Sequence, residues 1–474
     1  MSVRFGVFGW GVVAPKSPTI EAFRNNLAAG GNWLAPFNGY GPDNFLVGTP
    51  EFRFEDYQPW IDSRFAPRQF QKLKEKMDDT SLFAIGAFIQ ALQQNPGIEE
   101  ELKSLETQAH VYVGTGLGSI GTQYEISVAL YKAQQRWDEF WDGRSAELEE
   151  YLAELAEADS LQIEGEVEVG KLNAMREKEK RHARLREKWK APDPPWNVSA
   201  DLIWNIHNAP AAQISILAHI TGLAFAPVAA CSTFGVALKM AMQTIQAGEA
   251  KVVVVGATDP PPHPLTVGAF YSARVSSADG RVSIPLTRLQ GTHVAGGSAI
   301  WIIGNLEYMK AKGFRPLGME PVSVGVSSDA HHIITPSLTG PKSAIANGLA
   351  DAHAKAEDFA TWDLHATATP GDSSEVATFR SMFPDSVLVT ARKGTFGHGM
   401  AAGGGWELTA QYLGYAEHRL FATPLSESKL NSGIAKVHKH FVFDTTRAAP
   451  EGLAGKLSMG IGGVNACVVS RPLD

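Results

Sequence analysis

Short apolar runs that end in glycine or small polar residues recur along the whole chain, with helix-length stretches between several of them. RFGVFGWGVVAP, HVYVGTGLG, AFAPVAACST, KVVVVGATD and SAIWIIGNLE mark the first part, and PVSVGVSSDA, DLHATATP, DSVLVTARKG and KLSMGIGGVNACVVSRP the second. Helical segments such as KSAIANGLADAHAKA are interposed. This alternation of strand-length and helix-length patterns predicts an α/β chain with two comparable halves. With 474 residues, 44% of them hydrophobic and 19% charged, the chain buries a full core without disulfides or metal staples, and global disorder is excluded. Its 46 glycines and 27 prolines suit many tight loops.

Lys plus Arg total 42 against 50 for Asp plus Glu, a formal net charge of -8, which argues against a bulk electrostatic grip on nucleic acid or an anionic membrane. The two cysteines, Cys231 and Cys467, sit among apolar and small residues with no disulfide-framework spacing, a pattern that suits a reducing compartment. MSVRFGVFGWGVVAP lacks the features of a signal peptide, and no stretch of about 18 apolar residues is present to span a bilayer. The expectation is a cytoplasmic protein with no membrane span and no nucleic-acid partner.

From about Tyr131 to Lys190 charge density rises and strand signals vanish, so a charged helical insertion is expected at about 131–195. Leu148, Leu152 and Leu155 share a helical face in an acidic surround, and a second stretch carries Arg176, Lys178, Lys180, Arg181, Arg184, Arg186, Lys188 and Lys190 before Pro192, Pro194 and Pro195 end it. A solvated hairpin with compensating charges accounts for this pattern; a docking surface for an acidic partner is the sharper alternative.

Gly116-Leu117-Gly118-Ser119-Ile120-Gly121 satisfies the GxGxxG fingerprint of dinucleotide sites, but a helical pattern stands where a second strand ending in an acid is required, which favours a structural glycine turn. Cys231 is more informative. The run before it reads as a strand end and Ser232 to Gln246 as a buried helix, so its thiol lies at a helix N-terminus, where N–H groups and the helix dipole favour the thiolate that attacks acyl carbon. An isolated Cys in an apolar run is ordinarily an inert core residue, and Cys467 takes that reading. Cys231 has the company of His365 in HATATPGDSSE and His398 in KGTFGHGMAAGG beside Lys393. Neutral imidazoles near such a thiol can donate to a developing oxyanion or enolate. His331 and His332 lack a third metal ligand at usual spacing, so no metal site is expected.

With these residues in place, the chain resembles the β-ketoacyl-acyl-carrier-protein synthases, condensing enzymes of the thiolase fold. ACST around Cys231 looks like the family's nucleophile motif, HATATPGDSSE like HGTxTPxGDxxE, KGTFGHGMAAGGGWEL like KxxxGHxxGAAGxxEL, SMGIGGVNA like SFGFGGTNA, and SSDAHHIITPS like SSDAxHxTxP. The resemblance implies a duplicated five-layered αβαβα architecture. A nucleophile half is expected at 1–318 and a half carrying both histidines at 319–474. It implies Cys231 as nucleophile, His365 and His398 as paired histidines, Lys393 and Glu407 in support of the second histidine, and Thr367 and Thr369 against a pantetheine arm. The oxyanion and gating loop would comprise Cys231, Ile461 and Gly462. It further implies decarboxylative condensation of an acyl thioester with a malonyl-type extender, no cofactor beyond the carrier's phosphopantetheine, an acyl carrier protein as partner, and a homodimer or a heterodimer with a related subunit. An acyltransferase without condensation and a non-catalytic chain-length subunit are the rival readings.

The sequence departs from the family pattern at several points. Ile461 takes the gating phenylalanine's place, Ala366 and Ala368 occupy glycine-type positions, and one residue is missing between Pro370 and Gly371. QGTHVAGGSAI stands for RDGFVxGEGAG, with Gly291 and Gly297 in place of its Asp and Glu. Intact nucleophile machinery in drifted surroundings suggests a specialised condensing enzyme.

Overall fold

The computed structural model describes residues 3–39, 44–142, 147–160, 167–195 and 197–473. Two five-stranded mixed sheets organise it. The first contains β1 (Phe5–Val13), β2 (Ala109–Gly114), β3 (Ala224–Phe225), β4 (Val252–Asp259) and β5 (Gly297–Asn305), in the order β1-β5-β4-β2-β3. The second contains β6 (Met319–Ser328), β7 (Phe359–Asp363), β8 (Leu388–Thr390), β9 (Leu453–Gly460) and β10 (Val464–Pro472), in the order β8-β7-β9-β10-β6. In each sheet the first strand pairs antiparallel with the last and the last antiparallel with the fourth, while the fourth, second and third run parallel. One topology is therefore used twice.

The described helices of ten or more residues are α1 (Ile20–Ala29), α2 (Asp79–Leu92), α3 (Ile120–Asp142), α4 (Leu148–Asp159), α5 (Val167–Trp189), α6 (Ala209–Ala218), α7 (Thr233–Gln246), α8 (Thr339–Ala352), α9 (Gly371–Arg380) and α10 (Met400–Ala416). Helices α2 and α6 cover the outer face of the first sheet, α7 and α10 lie between the sheets, and α8 and α9 cover the outer face of the second. The result is the five-layered αβαβα arrangement. It explains why strands such as VVVVGATD read as continuous apolar runs: with helices on both faces, every residue of β4 is buried.

Large rings interlock in the middle layer. Trp301 of β5 stands edge-on to Phe234 of α7 at 5.2 Å and leans on Tyr412 of α10 at 4.6 Å, while its indole N–H donates to Thr409 Oγ1 at 2.9 Å. Each such fully buried side chain contributes about 2–3 kcal/mol of apolar transfer. Glycine lets α10 come this close: a Cβ on Gly405 would fall 2.5 Å from the Ala299 Cβ.

Residues Gly121–Ile203 form a separate compact unit. It begins earlier than the expected 131–195 because α3 runs without a break from Ile120 to Asp142. Its core differs from the sequence expectation of a leucine face. Tyr151 is buried among Phe140, Trp141 and Trp189, with ring centroids 5.7–5.9 Å away, while Leu152 is exposed and Leu155 half-buried. Aromatic rings bury more area per residue than leucine, which is why they take over a small core. The Leu148 side chain lies outside the described residues. Helix α5 meets α4 through the ion pair of Lys178 with Asp159 at 2.5 Å and that of Lys188 with Glu154. Among the described residues no helix is long and apolar enough to cross a membrane.

Candidate active site

Cys231 sits in a single 3-10 turn, Ala230–Ser232, at the foot of α7. Thr233 ties this turn: its hydroxyl accepts the Ala229 N–H at 2.9 Å and donates to the Ala230 carbonyl at 2.7 Å, while Ala230 takes the left-handed φ of +48°. An alanine held in that region costs about 1 kcal/mol and marks a site whose geometry the surroundings impose. The glycine loop after β9 closes over the thiol. Ser232 Oγ donates to the Val464 carbonyl at 2.8 Å, and a Cβ on Gly460 would fall 2.7 Å from the Ala229 carbonyl oxygen. The Ile461 N–H points at the Cys231 sulfur.

The structure corrects one expectation here. Burial pushes the Cys231 thiol up to about 11, outweighing the Ile461 and Cys231 N–H groups and the Lys393 charge that act the other way. The helix N-terminus is where the sequence put it, but the resting group is a thiol, because desolvation dominates.

His365 follows β7, and its turn is built by the two acids of GDSSE. Glu375 accepts the His365 and Ala366 N–H groups at 2.6 and 2.7 Å; Asp372 accepts those of Thr367, Ala368 and Leu286 at 2.8–3.1 Å. Burial raises Glu375 to about 7 and Asp372 to about 6. His398 precedes α10, with its ring centroid 5.4 Å from that of His365 and the two rings nearly perpendicular. Its Nδ1 accepts the Met400 N–H at 3.1 Å, and Lys393 Nζ lies 3.4 Å from His365 Nδ1. Neither the Lys393 ammonium nor the Met400 backbone N–H has a lone pair to offer, so both Nδ1 atoms are acceptors and both imidazole protons reside on Nε2. Burial, then Lys393, hold both imidazoles well below the ordinary histidine range.

Lys393 and Glu407 are placed differently from the expectation that they support the second histidine. Lys393 Nζ donates to the His365 carbonyl at 2.5 Å and to Glu407 Oε1 at 2.6 Å, so the pair braces the first. The charge of Lys393 also acts on Cys231 and His398, which makes it the common electrostatic neighbour of the three. Thr367 and Thr369 share a 3.0 Å hydroxyl contact and are half-buried. Ile461 is 41% exposed, and the Gly462 N–H donates to the Ile333 carbonyl at 2.7 Å, which ties the loop to SSDAHHIITPS. In that stretch His332 Nδ1 accepts the Ile334 and Thr335 N–H groups, a local cap. Among the described residues no group of three metal-ligating side chains forms.

The two glycines in place of the family's acids have a backbone reason. Gly291 and Gly297 take φ of +125° and +141°, and a Cβ would fall 2.7 Å from Ser276 C and 2.2 Å from the Val13 carbonyl oxygen, so neither position can carry a side chain. Sequence reasoning missed two groups. Asp259, at the end of β4, accepts Thr115 Oγ1 and the N–H groups of Gly116 and Leu117 through Oδ1, and the Ala401 N–H through Oδ2. The GxGxxG stretch thus begins as a turn wrapped on a carboxylate, beside the start of α10. Lys456 of β9 lies 2.8 Å from Glu407 Oε2 and 3.6 Å from Asp363 Oδ1, and Asp363 pairs with Arg392 at 3.1 Å. An acid ending an apolar strand and a lysine inside one were the available signals.

Two copies of one sheet topology back to back, with a cysteine turn at the foot of a central helix, define a thiolase-like fold. The chain belongs to the β-ketoacyl synthase family: residues 156–307 match the beta-ketoacyl synthase N-terminal domain and 320–423 the C-terminal domain. Among curated relatives, nodulation protein E of Rhizobium meliloti is 29% identical over 214 residues, covering 44% of this chain and 53% of that protein. 3-Oxoacyl-[acyl-carrier-protein] synthase 2 of Rhizobium meliloti (strain 1021) is 27% identical over 298 residues, 60% of this chain and 69% of that one. The chain thus spans about half the length of nodulation protein E. The ishigamide ketosynthase/chain length factor shares the fold with a TM-score of 0.74 at 18% identity, and a beta-ketoacyl synthase from Burkholderia phymatum STM815 with 0.73 at 17%; each match covers 100% of both chains.

Proposed function

We propose that this chain catalyses decarboxylative Claisen condensation of an acyl thioester with malonyl-acyl carrier protein, in fatty-acid or polyketide biosynthesis. The observation that carries the reading is a buried thiol faced by the Ile461 N–H, with two neutral imidazoles oriented as Nε2–H donors and Lys393 acting on all three. Cys231 gives up its proton as its sulfur attacks the acyl carbonyl, and the carrier's thiol leaves with a proton. The Ile461 and Cys231 N–H groups form the oxyanion hole for this step. A malonyl thioester then loses carbon dioxide; the released electron pair forms an enolate whose oxygen accepts from His365 and His398. Attack of its carbon on the Cys231 thioester forms the new C–C bond and expels the cysteine, which regains a proton.

Every step runs on protein side chains and the carrier's phosphopantetheine, with Thr367 and Thr369 at the pantetheine arm and Ile461 over the acyl entrance. The partner is an acyl carrier protein, the assembly a homodimer or a heterodimer with a related subunit, and the setting the cytoplasm. The likeness to an assembly that contains a chain length factor makes a non-catalytic role the reading to exclude. Intact-protein mass after incubation with acyl carrier-protein thioesters, followed by malonyl carrier protein and product analysis, tests the assignment. Acylation at Cys231 that disappears as β-ketoacyl product forms, and its absence in Cys231→Ala, are expected. Acylation without condensation would make the chain a simple acyltransferase, and full condensation by Cys231→Ala would sink the assignment.

A further inference from the structure

Lys456 lies outside every motif that carried the family resemblance, yet it occupies the centre of the buried ionic cluster behind the imidazoles. Its side chain is 1% exposed. Nζ stands against Glu407 Oε2 at 2.8 Å and Asp363 Oδ1 at 3.6 Å, and donates to the Leu457 carbonyl at 2.6 Å. Glu407 holds Lys393 through its other oxygen, and Asp363 holds Arg392 and accepts from the Thr390 hydroxyl. Without Lys456, two complete ion pairs would remain and the cluster would be neutral. With it, three cations meet two paired carboxylates, all on side chains no more than 3% exposed; the third acid within reach of Lys456 is Glu375, which burial pushes up to about 7, so positive charge is in excess wherever Glu375 holds its proton.

A buried lysine is costly, and an apolar residue would fill a strand interior at less expense. Its retention therefore calls for a role that its charge performs. The imidazoles in front of the cluster supply one, because imidazolium in place of imidazole would add a fourth cation. We propose that Lys456 is a positioning residue of the acyl-transfer site: anchored on Glu407 and Asp363, it adds positive charge that works with burial and with Lys393 to keep His365 and His398 as neutral Nε2–H donors. The proposal rests on the reading of those two histidines as carbonyl donors. The other ionisable groups at the imidazoles are Lys393, each histidine for the other, Cys231, Glu375 under the His365 backbone, and Asp259 on the Ala401 N–H beside His398. The positive charge of Lys456 disfavours imidazolium at both rings, as Lys393 does.

The test is a histidine titration by NMR on the full chain carrying isotope-labelled histidine, between about pH 4 and 9. The His365 and His398 signals are assigned by their loss in His365→Gln and His398→Gln. Lys456→Met should raise both midpoints by about one pH unit, and Lys456→Arg, which keeps the charge, should stay near the parent. Should Lys456→Met not fold, Lys456→Gln is read in its place, since its amide still donates to the Leu457 carbonyl. No shift in the folded neutral variant, or the same rise in Lys456→Arg as in Lys456→Met, overturns the proposal. The readout uses no turnover. Failure of the parent to condense would remove the proposed function and leave this measurement decisive on its own terms; a condensing parent with unmoved midpoints in the neutral variant would remove only the role of Lys456.

Discussion

His398 Nδ1 accepts the N–H of Met400 at 3.1 Å across a turn in which Met400 takes φ +46°, and this one bond decides which nitrogen can donate. Removing the Nε2–H donor in His398→Ala should lower condensation by about 10²–10³-fold, the usual cost of one oxyanion donor. In the proposed mechanism loading of Cys231 uses the Ile461 and Cys231 N–H groups, so it should persist. Initial rates and intact mass on the same variant separate the two steps. Loss of loading in parallel with condensation would instead mean that His398 serves the first transfer as well.

A second histidine makes the fold acid-sensitive. His293 Nε2 accepts the Ser283 N–H at 2.7 Å, its Nδ1 donates to the Leu46 carbonyl at 3.0 Å, and its own carbonyl accepts the His398 N–H at 2.7 Å. Burial holds it down at about 4. Its folded-state value lies below the unfolded one, so its stabilising contribution is complete above about pH 6.5 and is lost as pH falls toward 4. Asp259, Asp372 and Glu375 are raised, and their contribution has the opposite sign: present at acid pH and lost as pH rises through about 6–7. A variant comparison therefore isolates His293. From about pH 7.5 to 5, parent stability should fall by about 2 kcal/mol more than that of His293→Gln, measured as urea unfolding. Equal falls in the two proteins would rule this account out.

What the sequence made legible divides along a physical line. KVVVVGATD and SAIWIIGNLE declared themselves because a strand covered on both faces has no polar period to hide it. Cys231 declared itself at the junction of a strand end and a buried helix, and His365 and His398 each in a small, glycine-containing turn joining such elements. Lys456 did not: its partners Glu407 and Asp363 are 49 and 93 residues away in the chain, and local pattern carries no record of which distant polar atoms meet. The thiol was misjudged for the same reason, since a helix N-terminus is a local fact and burial is a tertiary one. In the inserted unit a leucine period was visible, whereas the clustering of Phe140, Trp141, Tyr151 and Trp189 across three helices was not.

One hydroxyl ties the turn that carries Cys231. Thr233, fully buried, answers both the Ala229 N–H and the Ala230 carbonyl. Thr233→Val keeps the shape, leaves the Ala229 N–H buried without a partner and leaves the Ala230 carbonyl only the Thr233 backbone N–H, at an expected cost of about 1–2 kcal/mol. The left-handed Ala230 then has less to hold it, so acylation of Cys231 should slow as well. Thr233→Ser retains the hydroxyl and should recover most of both losses. Urea unfolding and the rate of acyl loading check this, and a Val variant with parental stability and loading would refute it.

Some of the cations of α5 are paired and others are not. Lys178 and Lys188 turn to α4 and pair there with Asp159 and Glu154, whereas Arg176, Lys180 and Arg184, spaced i, i+4 and i+8, are exposed with no ion-pair partner among the described residues. Acyl carrier proteins are generally acidic, so this row matches the charge of the proposed partner despite the chain's net -8. Changing all three to Glu alters only exposed positions and should leave unfolding unchanged within about 0.5 kcal/mol. Affinity for acyl carrier protein should fall, mostly through a slower association rate, and the gap between parent and variant should narrow as salt screens the row. Surface-plasmon or calorimetric titration at two ionic strengths reads this directly. Equal affinity at low salt would return α5 to a solvated face whose charges serve only the inserted unit itself.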